Sequence, residues 1–207
     1  MAGTSNARVA VITGGTSGIG LAFAERLIGS YTVVVCGRNE RRLQGARDEI
    51  PGLIALRCDV TRLDDLDALV AEIEQRFGRL DLLVSNANLA SEFDFRSGVD
   101  ADKVDQEVRL NLVAPIQLTN LALPLLLRSP HPSIVYVTSG YALAPATRAP
   151  VYSASKAGLR SFVKALRRQV EAGGIHVIEV VPPVVDTPAV AHRAEKKYLP
   201  RKSLRRL

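Results

Sequence analysis

The sequence predicts an α/β fold, a single domain built on a doubly wound parallel sheet with helices on both faces. Three observations predict it. Six short runs rich in Val, Ile and Leu recur along the 207 residues, most of them bounded by turn residues. Runs of this kind read as strands covered on both faces. Amphipathic stretches of helical length separate them, and neither an internal repeat nor a linker breaks the series.

The first run, residues 9–13, passes through a glycine-rich segment into a helical stretch at 18–28. A second run at 32–36 precedes a helix at 39–49, and a third at 53–57 precedes a helix at 63–77. In that helix Leu66, Leu69, Val70 and Ile73 keep the 3.6-residue period among acidic and polar neighbours. The run at 80–85 is followed by a long helical segment at 102–127, the run at 134–138 by a helix at 152–171, and the run at 176–181 closes the series. Strands alternating with such helices call for right-handed crossovers and a parallel sheet. A doubly wound sheet binds its ligand beyond the carboxyl ends of its strands, where the strand order switches. The residues just after each strand are therefore the ones to inspect.

Composition narrows the function classes. The chain is 47% hydrophobic and 23% charged with a net charge of +6, ordinary for a globular domain. Residues 192–207 hold seven basic side chains against one acid, and the preceding 191 residues hold twenty of each. The domain is thus expected to span 1–191, with 192–207 a basic tail. The tail reads as a solvated end, which makes a nucleic-acid partner unlikely. No run of about 18 apolar residues is present, and residues 1–6 lack the apolar stretch of a signal peptide, so the expectation is a cytoplasmic protein without a membrane partner. Cys36 and Cys58 lack metal-ligand spacing and read as buried reduced thiols; no metal site is expected.

The first strand enters Thr13-Gly14-Gly15-Thr16-Ser17-Gly18-Ile19-Gly20. Glycines here let the backbone turn tightly and approach a pyrophosphate, and the helix N-terminus supplies free N–H groups. Gly14, Thr16, Ser17, Gly18, Ile19 and Gly20 are the expected dinucleotide contacts. An acid at the end of the second strand would favour NAD(H). Gly37 and Arg38 stand there instead, and a guanidinium can pair with a 2′-phosphate, so NADP(H) is expected over NAD(H). Asp59 and Val60 follow the third strand at the depth of an adenine, although a turn or helix-cap role for Asp59 stays open. Asn86 and Ala87 follow the fourth strand beside the adenosine and ribose, and Asn88 is a candidate for the left-handed conformation that glycine usually fills.

Tyr152 and Lys156 lie four apart at a helix start, on one face. A free tyrosine, with a pKa near about 10, exchanges protons poorly at neutral pH. A neighbouring ammonium and an oxidised nicotinamide ring together stabilise the phenolate. Tyr152 can then give a proton to a substrate oxygen or take one from it. Ser139, just beyond the fifth strand, can hold that oxygen, and Lys156 can also hold ribose hydroxyls. Asn111 lies in the long helix with Pro115 four residues on. Proline has no N–H, so the Asn111 carbonyl loses its usual donor and can seat a water leading to Lys156, a simple kink being the alternative.

Taken together, these residues resemble the short-chain dehydrogenase/reductase family over about residues 9–188, with a Rossmann-like fold. The family's TGxxxGxG loop corresponds to residues 13–20, its adenine-contacting aspartate to Asp59, and its catalytic tetrad to Asn111, Ser139, Tyr152 and Lys156. The CGRNE and IEVVPPVVDTP segments look most like members named for D-alanine esterification of teichoic acid. The resemblance implies hydride transfer between NADP(H) and a small carbonyl or alcohol, and a homodimer or homotetramer packed through the helices around 111–127 and 152–171. A catalytically impaired NADP-binding sensor or scaffold of the same fold is the alternative. Three departures stand out. Asn88 replaces a glycine. Pro182-Pro183 replaces Pro-Gly, with Thr187 kept at the nicotinamide carboxamide contact. Most members continue for some tens of residues with a lid, a helix and a seventh strand, where this sequence has its basic tail. A substrate pocket lined from 89–96, 140–151 and 184 onward is expected.

Overall fold

Val9 to Ile12 and Val33 to Cys36 are buried at every position, as strands covered on both faces must be. The computed structural model describes residues 8–183. Within them β1 (Arg8–Thr13), β2 (Tyr31–Gly37), β3 (Ile54–Arg57), β4 (Leu82–Ser85), β5 (Ser133–Val137) and β6 (His176–Val180) form one sheet. All pairings are parallel and the order is β3-β2-β1-β4-β5-β6. The order reverses between β1 and β4, so the crevice for a ligand opens at their carboxyl ends.

Six α-helices connect the strands: α1 (Gly18–Leu27), α2 (Glu40–Glu49), α3 (Leu63–Phe77), α4 (Ala101–Val108), α5 (Ala114–Leu126) and α6 (Pro150–Gln169). Alternate strand residues face opposite ways and build two cores. Val9, Val11 and Val34 pack with Leu66, Leu118, Leu126, Leu159 and Val163 of α3, α5 and α6. Ala10, Ile12, Val33 and Val35 pack with Ala24, Leu43 and Ala46 of α1 and α2. Each such valine, leucine or isoleucine contributes about 1.5–3 kcal/mol on burial, an alanine methyl less.

Two helical boundaries have visible causes. Asn39 caps α2 by accepting from the Arg42 N–H at 3.0 Å. Gly78 ends α3 in the left-handed conformation, φ 72°, which glycine takes without penalty. The expected long helix is a corrected element. It runs from Ala101 to Leu126 but contains a π-turn, Arg109–Val113, in which the Ala114 N–H donates to the Arg109 carbonyl. Pro115 removes one donor from the ordinary ladder, and an inserted π-turn resets the helix around that loss. The helix α6 starts two residues earlier than expected, with Pro150 in its first turn.

At the amino ends of the strands a single buried carboxylate fixes the sheet. Asp81 accepts from the Val9 N–H at 2.7 Å, from Arg79 Nε at 3.2 Å and from the Ser129 hydroxyl at 2.6 Å.

Candidate active site

The carboxyl ends of the strands enclose a cleft of about 850 Å³, within the size range of small-molecule and cofactor sites. Its lining includes Gly14, Thr16, Ser17, Gly18 and Ile19 from the glycine loop, then Arg38, Asp59, Val60, Asn86 and Ala87. At its other end stand Ser139, Tyr141, Tyr152 and Pro182. One cleft thus gathers most of the residues singled out in the sequence. Thr187 and the tail at 192–207 lie outside the described residues.

The glycine loop is held in shape by the end of β4. Thr13 Oγ1 accepts from the N–H groups of Asn86 (3.0 Å) and Ala87 (3.1 Å). Asn86 Nδ2 donates to the carbonyls of Thr13 (3.0 Å) and Gly14 (3.1 Å). Gly14 has φ 63°, and a Cβ there would come within 2.9 Å of Ala87 Cα. Gly20 departs from its expected role. It does not line the cleft; a Cβ on it would collide with the Gly14 carbonyl and approach Asn86 Nδ2 to 2.5 Å. Its smallness lets α1 press against the loop. Asn88 also differs from expectation, because only glycines take positive φ among the described residues. Its Nδ2 instead donates to the Asn86 carbonyl at 3.2 Å, a local side-chain-to-backbone bond.

The amino end of α1 faces the cleft through Ser17, Gly18 and Ile19. No side chain caps it, and its first turn holds no acid. Its N–H groups and positive dipole end are therefore left to an anion, which fits a pyrophosphate. At the end of β2, Arg38 is 62% exposed and stands 3.9 Å from Asp59. Burial acts to raise the Asp59 carboxyl, but two hydrogen bonds from Thr61 and the charges of Arg38 and Arg62 outweigh it and hold the carboxyl below its usual range. Asp59 Oδ1 takes the Thr61 N–H and hydroxyl, so the turn role is realised while the residue still faces the cleft. Arg42 also lines the cleft. Its signal was its place one turn beyond Arg38 on the first turn of a helix, masked in the sequence by the abundance of arginines there. Cys36 and Cys58 are buried, free and in the lining. The Cys36 thiol is held well above its ordinary value by its hydrogen bond with Cys58 and by burial.

At the other end, Tyr152 lies edge-on to Tyr141, with ring centroids 6.2 Å apart. Lys156 is 2% exposed and its Nζ sits 5.8 Å from the Tyr152 ring centroid. The ammonium donates to the Val137 carbonyl at 3.0 Å, on the last residue of β5. Burial pulls its pKa from 10.5 to about 8. Ser139, two residues beyond that carbonyl, accepts from the Tyr141 N–H at 3.2 Å and opens a 3-10 turn. Asn111 is fully buried and off the cleft wall. Its amide donates to the Leu89 carbonyl (2.7 Å) and to Ser155 Oγ (3.2 Å), and its Oδ1 accepts from the Leu89 N–H (2.9 Å).

Of the expected substrate wall, Ala90, Gly140, Tyr141 and Ala144 line the cleft. Leu143 points to solvent and Val151 is buried in the helix start, so neither does. Sequence reasoning missed Arg148. It donates to the Tyr141 hydroxyl at 2.6 Å and pairs with Glu92 at 3.4 Å, tying the loops after β4 and β5 together.

Known proteins resemble this chain in sequence and fold. The family model described as short chain dehydrogenase matches residues 8–198. An uncharacterized oxidoreductase of Bacillus subtilis, DltE, is 41% identical over 179 residues, covering 86% of this chain and 71% of its own. L-fucose dehydrogenase of Bos taurus is 34% identical over 182 residues, covering 87% and 67%. Among solved structures, an actinorhodin polyketide ketoreductase variant with NADPH superposes with TM-score 0.89 at 28% identity, covering 97% of this chain and 88% of that one. A 3-ketoacyl-(acyl-carrier-protein) reductase of Brucella melitensis complexed with NADH superposes with TM-score 0.87 at 25% identity, covering 94% and 86%.

Proposed function

The chain belongs to the short-chain dehydrogenase family, and from that premise we propose that it moves a hydride between NADP(H) and a small carbonyl or alcohol, with Tyr152 as general acid and base. One observation carries the reading. Tyr152 faces the cleft that Ser139 also lines, while a buried ammonium is fixed beneath its ring by the Val137 carbonyl.

The uncapped start of α1 and the glycine loop would hold the pyrophosphate, with Gly14, Thr16, Ser17, Gly18 and Ile19 in contact. Arg38 would take the 2′-phosphate, the reason NADP(H) is preferred. Asp59, Val60, Asn86 and Ala87 would wall the adenosine, and Pro182 and Thr187 the nicotinamide end. When bound, the nicotinamide supplies or accepts the hydride. In reduction the Tyr152 phenol gives its proton to the substrate oxygen, and in oxidation it takes that proton back. The Ser139 hydroxyl holds the same oxygen in place. Lys156 stabilises negative charge on the phenol and offers donors to the ribose, and the Val137 carbonyl keeps its side chain from swinging away. Asn111 fixes the loop at Leu89 and the start of α6 through Ser155. Half-buried Leu121, Leu123 and Phe162 together with exposed Leu127 support assembly through α5 and α6 into a homodimer or homotetramer. No helix among the described residues is long and apolar enough to cross a membrane.

Titration with NADPH and with NADH, then a panel of carbonyl substrates on wild type and Tyr152→Phe, tests the reading. NADPH is expected to bind more tightly, and the phenylalanine variant to keep that affinity while losing about 100-fold or more in kcat. NADPH binding without Tyr152-dependent turnover of any carbonyl would replace the enzyme by a cofactor-binding sensor. Equal affinity for both cofactors would remove the role given to Arg38.

A further inference from the structure

After β4 the chain runs without regular structure from Asn86 to Asp94 and lines the cleft with Asn88 and Ala90. Backbone of this kind has no ladder of its own, so side chains or water must satisfy its polar groups. Two side chains one helical turn apart do so here. Asn111 brackets Leu89 with bonds to both its N–H and its carbonyl. Glu107, on α4, accepts from the Ser91 N–H through Oε2 at 2.9 Å. Ala90 stands between these two pinned neighbours.

Glu107 is 0% exposed. A carboxylate in such a place is costly unless hydrogen bonds compensate it, and an apolar side chain of the same size would fill the space without that penalty. What the glutamate adds is an acceptor aimed at the loop. We infer that Glu107 is a positioning residue: its carboxylate and Asn111 together fix Ala90, and so set the cleft wall against which the reacting end of the substrate is held. The kinetic side of this inference rests on the hydride-transfer reading; the structural side does not.

The test compares Glu107→Gln with Glu107→Met in the full chain. Both replace the carboxyl group and keep about its volume, and only glutamine keeps an acceptor. In the methionine variant the Ser91 amide should exchange with solvent about tenfold faster or more, while glutamine preserves its protection. With NADPH and a turned-over carbonyl, methionine should lower kcat by about 10- to 100-fold. Its NADPH affinity should stay within about threefold of wild type, and glutamine should restore kcat. If the methionine variant does not fold, Glu107→Asp, which draws the acceptor back by one methylene, takes its place. Unchanged Ser91 protection in the methionine variant overturns the inference. So does equal behaviour of the two variants, or a loss of kcat matched by an equal loss of cofactor affinity. Should wild type turn over no carbonyl, amide exchange alone decides, so failure of the hydride-transfer reading is separable from failure of this one.

Discussion

Replacing Lys156 by methionine removes a buried ammonium and keeps most of its volume, and the structure sets how the two proteins should diverge with pH. Burial lowers the lysine pKa from 10.5 to about 8 in the folded chain. Below about pH 8 folded and unfolded chains both carry the proton, and the folded chain bears the full cost of burying it. Between about 8 and 10.5 the unfolded chain still binds the proton and the folded chain does not, so stability rises with pH. Above that window both are neutral and the cost is gone. At about 1.36 kcal/mol per pH unit, the span from 10.5 to about 8 corresponds to about 3 kcal/mol. Urea unfolding of both proteins at several pH values from about 7 to 10.5 measures this, because titrations common to both cancel in the difference. Wild type should gain about 2–3 kcal/mol relative to Lys156→Met across that range. Two stability curves that stay parallel would refute the burial of a chargeable Nζ, and with it the fixed ammonium beneath Tyr152.

Gly20→Ala places a methyl against the Gly14 carbonyl and 2.5 Å from Asn86 Nδ2; overpacking and strained loop bonds should cost about 2–4 kcal/mol. Thermal unfolding and NADPH titration should both register it, since the loop that moves is the one proposed to hold the pyrophosphate, and unchanged values in both would contradict the packing described. Asp81→Ala strips the Val9 N–H and the Ser129 hydroxyl of their acceptor and should cost about 3–5 kcal/mol. The same variant should keep wild-type kcat well below its melting temperature, because Asp81 stands at the far end of the sheet from the cleft; a selective loss of kcat would argue against that separation.

The sheet was legible because its cause is local. Apolar runs of five or six residues and helical stretches between them leave few arrangements, and the six strands fall within two residues of where periodicity puts them. The strand-end motifs were legible for the same reason: the switch-point rule turns a sequence position into a place in space. What escaped depends on contacts that spacing does not encode. Gly20 has the look of a phosphate contact, and only the approach of α1 to the Gly14 carbonyl shows it to be a packing residue. Pro115 signals a disturbed helix, yet whether the disturbance is a kink or a π-turn depends on how α4 and residues 109–113 seat on α6. Glu107 and Arg148 read as ordinary charged residues of a helix and a loop. Their partners, Ser91 and Tyr141, are reached only through the tertiary fold.

A common logic runs through the buried polar groups at the cleft. Thr13, Asn86, Glu107, Asn111 and Lys156 are all buried. Each bonds the main chain at or near a strand exit: Thr13 and Asn86 across β1 and β4, Asn111 and Glu107 on the loop beyond β4, Lys156 on β5. A parallel sheet delivers its strands to one end but leaves the loops there without a ladder. Helix packing alone would hold them loosely. Each side-chain bond adds only about 0.5–1.5 kcal/mol net to stability, so stability is a weak reason for so many of them. Rigidity is a stronger one. Productive geometry tolerates about 0.5 Å of error, and loops tied at several points by short bonds meet that tolerance where free loops do not. Asp81 provides the contrast: it is buried as deeply at the opposite end, and it binds a strand entrance that faces no cleft. Polar burial in this sheet therefore serves two ends of the molecule differently, holding the fold together at one and the walls of the cleft in register at the other.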